Sequence, residues 1–192
     1  MTDDETRKGT SGVSISYYGD NSILSVAPAF RSVESFSNIL DRTRHFNMFS
    51  GTASALVQLP HDLRITSNSS WQIATTDLLP GDQLFQLGGP TTVRRYPTNS
   101  VAGDKGYLTN AEQHRDLSTV MAGLDAFVFV DHGAVYSTHP GRRTATSAGV
   151  SMLKSPRPET TLELTAARPF HELVPQQSTV EVYGRLIWRP KL

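Results

Sequence analysis

The chain contains no cysteine. That removes disulfides, Cys-ligated zinc, iron–sulfur clusters and thiol chemistry together. It lacks an excess of charge of either sign, since 18 basic and 18 acidic residues are spread along its 192 positions. A footprint for nucleic acid or for an anionic membrane surface is therefore not expected. No run of about 18 apolar residues occurs, which excludes a membrane-spanning helix but leaves a β-barrel open, because barrel strands carry only an alternating signal. The polar start Met1-Thr-Asp-Asp-Glu-Thr-Arg-Lys is not followed by a short apolar core and cleavage site, so no signal peptide is expected there. Patterns for chemistry are missing as well. Histidines at 45, 61, 114, 132, 139 and 171 show no H-E-x-x-H spacing, and no serine sits in a G-x-S-x-G elbow. No glycine-rich run leads into Lys-Ser/Thr and a helix, as a phosphate cradle requires. The expectation is a protein without catalysis, metal or cofactor.

What the sequence does have is alternation. Near the C-terminus Val180, Val182, Leu186 and Trp188 alternate with Glu181, Tyr183, Arg185 and Arg189, the period of a two-faced strand. Leu162, Leu164 and Ala166 alternate with Thr161, Glu163 and Thr165, and Ala148, Val150 and Met152 with Ser147, Gly149 and Ser151. Over 63–76, Leu63, Ile65, Trp71 and Ile73 hold odd positions, while Arg64, Thr66, Asn68, Ser70 and Gln72 hold even ones. Further strands are expected at 12–18, 46–59 and 124–136, whereas 31–44 reads as loop or a short helix. Several of these segments reach the roughly 9–11 residues that a tilted strand needs to cross a bilayer. Breakers at 60–62, 80–82 and 156–158 give turns that alternate short and long, as in an outer-membrane barrel. Residues 1–11 read as a disordered tail, and 12–192 as one partial barrel domain.

Residues 87–116, LGGPTTVRRYPTNSVAGDKGYLTNAEQHRD, are too polar and glycine-rich for one strand. The order LGG, VRRY, GDKG and N-x-E resembles the TpsB transporters of two-partner secretion, the haemolysin and filamentous haemagglutinin exporters. Phe129-Val-Asp131-His-Gly133 resembles the F-x-D-x-G strand motif of the same family. The resemblance implies the C-terminal half, about eight strands, of a sixteen-stranded antiparallel barrel, with 85–106 folded into the lumen as a loop. It carries Val93, Arg94 and Tyr96 onto the loop motif and Asp131 onto the strand, and implies that Arg94 pairs with Asp131. A guanidinium meets a carboxylate with two parallel hydrogen bonds, and burial makes either charge costly alone. Without the two motifs, Arg94, Arg95 and Asp131 read as exposed loop arginines and a strand-end residue. Gly88, Gly89, Gly103 and Gly106 read either as turn glycines or as sites of close approach beside Asp104.

The chain departs from the family pattern in places. Arg95 stands where the tetrapeptide has glycine, which predicts an altered loop tip. Asn110 and Glu112 match lumen-facing positions, but Gln113 and Arg115 fall where outward apolar residues are expected, and lipid-facing arginine costs about 2–4 kcal/mol at mid-bilayer. The end, Trp188-Arg-Pro-Lys-Leu192, lacks a terminal aromatic. The chain is expected to be a fragment without the family's periplasmic domains and first strands. By resemblance its place is the bacterial outer membrane, and its partners are a secreted TpsA-type exoprotein, outer-membrane lipid and the barrel-assembly machinery. Two alternatives are a barrel-assembly protein of the BamA or TamA type and a soluble β-barrel binding module.

Overall fold

A computed structural model describes residues 5–37, 42–171 and 180–189. Twelve strands run in chain order: β1 (Glu5–Gly12), β2 (Ile15–Tyr18), β3 (Ser22–Ser37), β4 (Arg42–Leu59), β5 (Leu63–Ala74), β6 (Phe85–Leu87), β7 (Val101–Gly103), β8 (Lys105–Asp116), β9 (Leu124–Tyr136), β10 (Arg142–Arg157), β11 (Thr160–Pro169) and β12 (Glu181–Trp188). All except β6 and β7 form one sheet in which each strand pairs antiparallel with the next along the chain. β1 and β2 are one strand with a break, since both follow the same register on β3. The break faces a proline. Val13 N donates to Pro28 O at 3.2 Å, and Pro28 has no N–H to return the bond. The sheet therefore has nine successive strands, against about eight expected, and its two outer edges have no partner strand among the described residues.

Two expectations are corrected. Residues 5–12 are strand and not tail, because pairing with β3 uses backbone groups and does not require an apolar alternation that Glu5, Arg7 and Lys8 lack. The stretch 31–44 holds no helix among its described residues. Arg31–Ser37 continue β3 and β4 starts at Arg42, in register with one another. The mixed composition hid a strand whose inner face at this end carries buried Val33 beside Phe46 and Met48.

Register decides which side chains share a face. Ser54, Asn68, Asn110, Asp131 and Ser147 lie opposite one another across β4, β5, β8, β9 and β10, and so point to the same side. We call this side inner. On the outer side the same pairing collects Ile65, Val128, Val150, Leu164, Val182 and Leu186, all exposed. An apolar surface of this extent on a single sheet is what a lipid-facing wall presents. β8 is intact and paired on both flanks, although Gln113 and Arg115 do face outward. Arg115 stands one residue from the strand end, where the cost of a lipid-facing charge has fallen towards zero. Exposed Trp188 ends β12 on the same outer face.

The connections at 19–21, 60–62 and 158–159 are short and fall at one end of the sheet. The connection from β5 to β8 leaves the other end and turns back over the inner face. His61 and Asp62 take positive φ, at 63° and 59°, which makes the tight turn expected there.

Candidate functional site: a loop clasped to the inner wall

The β5–β8 connection is fastened first at its base. Leu78 takes φ 62°, and the next amide, Leu79 N, donates to buried Asp104 Oδ1 at 2.6 Å. Gln72 reaches from β5 to the carbonyl oxygens of Gln83 and Asp104, at 2.8 and 3.2 Å. Leu79 then packs with Val33, Phe46 and Met48, covering the inner face of β3 and β4 at this end. β6 and β7 pair with each other and carry the chain down along β8 and β9.

Glycines in the wall receive the loop's large side chains. A Cβ on Gly133 would come within 2.8 Å of the Leu87 methyl groups, and one on Gly106 would run into the Phe85 ring. Gly103 leaves room for Val135 in the same way. The LGG and F-x-D-x-G segments are thus complementary: Leu87 fits the space that Gly133 leaves open. Gly88 and Gly89, with φ 104° and 110°, then reverse the chain, and a Cβ on Gly88 would strike the Pro97 carbonyl. Leu87, Val93, Tyr96 and Val101 close over Leu108, Val135 and Ala145 as a dry cluster. This cluster positions the tip.

At the tip Arg94 is clamped. Its Nε and one terminal nitrogen donate to the two oxygens of Asp131 at 2.8 and 2.7 Å, and its backbone N–H donates to Asp131 Oδ2 at 2.9 Å. The other terminal nitrogen donates to Glu112 Oε1 at 2.8 Å. Asn110 Nδ2 donates to Asp131 Oδ1 at 2.8 Å and also to the Thr92 carbonyl, so one amide holds both the carboxylate and the loop. Below the guanidinium lies the Phe129 ring, 3.5 Å from its central carbon to the ring centre, a cation–π contact made without water. Phe129 in turn fills the space above Gly149. Asp131 is fully buried, with relative exposure 0%. Burial opposes the charge on Arg94, but bonds and attraction from Asp131 and then Glu112 outweigh it and raise its pKa above the ordinary value.

Beside it Arg95 takes φ 84°, a strained angle for a residue with a side chain. This is where the sequence expected a change at the tip. The Arg95 guanidinium is buried and binds Glu181 Oε2 on β12 at 2.8 Å. Tyr96 Oη lies 2.7 Å from the His171 carbonyl and 3.1 Å from that of Thr146. The tip is thereby tied to β8 and β9 through Arg94, and to β12 and the β10–β11 region through Arg95 and Tyr96.

Val93, Arg94, Tyr96, Asn110, Glu112, Phe129, Asp131 and Gly133 therefore meet in one place, with Gly88, Gly89, Gly103, Asp104 and Gly106 shaping the approach. Sequence reasoning missed the extension of this site. His114 lies between Glu112 Oε2 and Asp125 Oδ1, each at 2.9 Å, and Arg64 reaches Asp125 at 3.5 Å. His114 follows Glu112 by two positions, so strand parity already placed it inward. Asp125 and Arg64 needed the register. Glu163 and Arg185, at 2.9 Å, make a further inner-face pair on β11 and β12. No group of three or more His, Cys, Asp or Glu side chains suited to a metal occurs among the described residues.

An antiparallel wall, apolar outside and polar inside, with a connection clasped across its inner face, defines a transmembrane β-barrel protein with a lumen loop. The profile of the haemolysin secretion/activation protein ShlB/FhaC/HecB family matches residues 4–152, and the chain belongs to that family. Its place is accordingly the bacterial outer membrane. Among solved structures it resembles CdiB from Acinetobacter baumannii, with TM-score 0.57 and 14% identity, over 96% of this chain and 42% of that one. The chain thus spans less than half the length of that structure. No curated protein sequence matches it.

Proposed function

We propose that the chain is part of the pore of a two-partner secretion transporter and that its lumen loop occupies the path of the exported protein. The clasp of Arg94 on buried Asp131, reinforced by Asn110 and Glu112, carries this reading. It holds one loop conformation against the wall. A passing polypeptide must either run beside the loop or displace it. The exported partner, by the family's character, is a large haemolysin or adhesin-type protein. The outer face is the surface for lipid, and the barrel-assembly machinery would place the strands there. The activity moves a polypeptide and makes or breaks no covalent bond.

Arg94→Ala tests the reading in two measurements, single-pore conductance in planar bilayers and secretion of the cognate partner from cells. Conductance should rise or become noisy as the tip loosens, and secretion should fall. If neither moves, the clasp has no part in transport. Extraction that does not need detergent would point instead to a soluble β-barrel binding module.

A further inference from the structure

Most of the inner face named so far is saturated. Asn110, Glu112, Asp131, Ser147, Ser151, Glu163 and Thr165 all have side-chain partners. The inner face at the middle of β4 and β5 is different. Thr52, Ser54, Asn68 and Ser70 share that face by register, and none of the four has a side-chain hydrogen-bond partner among the described residues. They border a cavity of about 400 Å³ whose far side is Thr91 of the loop tip and Asn110. No fixed charge enters this lining. The described inward charges on the same strands and on β3, Arg64 toward one end and Arg31 and Arg44 toward the other, stand several residues away.

We propose that this strip is the contact surface for the exported chain, and that it takes an extended polypeptide through its main chain. The inference rests on the transport reading above and names the wall that reading leaves open. An extended polypeptide presents unpaired N–H and C=O groups along its length. Hydroxyl and amide side chains can exchange bonds with these groups, and water replaces them at little cost as the polypeptide advances. Small uncharged residues provide neither ion pairs nor an apolar patch, so no passing side chain is arrested. On the other wall Asp131 and Glu112 are engaged in holding the loop and Glu163 in binding Arg185, which leaves the middle of β4 and β5 with free hydrogen-bonding groups beside open space.

The experiment threads a synthetic peptide of glycine, serine, asparagine and threonine with a lysine tail through the protein in planar bilayers under voltage, and times the current blockades. A photo-crosslinking residue at position 54 or 68 should label the blocking peptide, whereas one at position 53, on the lipid side of the same strand, should not. Ser54→Asp with Asn68→Asp should lengthen blockades by a lysine-rich peptide about tenfold, the effect of roughly 1.4 kcal/mol of added attraction, and leave the open-pore current present. Ala53→Ser should change neither. Blockades that persist without labelling at 54 or 68, and without a change of dwell time, would overturn the strip while leaving transport intact. A pore that no peptide ever blocks would overturn both.

Discussion

The two halves of the inner wall are built on opposite principles. On β8–β12 the inward Glu112, Asp131 and Glu163 are charged and joined to the loop or to one another's strands. At the middle of β4 and β5 the inward Thr52, Ser54, Asn68 and Ser70 are small, neutral and open. The first arrangement costs desolvation at every charge and returns it only when each partner is in place. The second costs almost nothing and holds nothing. The difference shows where the fold spends its specificity: on fixing the loop, and not on the free side of the lumen. On the transport reading proposed above, this division lets one wall hold the loop while the other stays open.

Asp131→Ala is the sharpest way to break that contrast, because it leaves Arg94 buried with one carboxylate instead of two. It should destabilise the loop-covered wall by about 3–5 kcal/mol, visible as a lowered thermal transition of the β-sheet signal in detergent; an unchanged transition would mean that the clasp carries no net stability. Gly133→Val comes next. Its side chain would press on Leu87, at a cost of about 1–3 kcal/mol, and Leu87→Ala in the same chain should recover part of the loss. Independent, additive effects of the two changes would rule out the fit between the two motifs. Arg95→Gly sets two smaller terms against each other, since it relieves the φ of 84° but gives up the contact with half-exposed Glu181. The net change should stay within about 1 kcal/mol, while proteolysis at the tip becomes faster; equal cleavage rates would deny Arg95 a part in holding the tip. Ser54→Ala should be the mildest, within about 0.5 kcal/mol, and a larger loss of stability would show that the open wall is structural after all.

Much of the site could be found from the residue string because its parts are short motifs with fixed parity. Phe129, Asp131 and Gly133 alternate on one strand, so all three had to face the same way, and Asn110 and Glu112 do likewise on another. The glycines had two readings in sequence, and the structure supports both. Gly88 and Gly89 reverse the loop with positive φ, while Gly106 and Gly133 make room for Phe85 and Leu87. Strands β1 and β3 were not read, because backbone pairing with a neighbour leaves no trace in side chains as mixed as Glu5–Gly12 or Arg31–Ser37. The links from Arg95 to Glu181 and from Tyr96 to the carbonyl of His171 join residues far apart in the chain, and nothing local encodes them.

The sequence by itself determined the strand periodicity, the neutral overall charge, the inward set of Asn110, Glu112, Phe129 and Asp131, and, through its motifs, the pairing of Arg94 with Asp131. Alternation of period two fixes a face wherever a strand exists, which is why these survived the step to three dimensions. Tertiary structure alone decided which wall the loop covers, how His114, Asp125 and Arg64 extend the charged network, and that Thr52, Ser54, Asn68 and Ser70 are left open. Those outcomes depend on register between strands and on the packing of one long connection, and both are set by contacts between residues that no local pattern brings together.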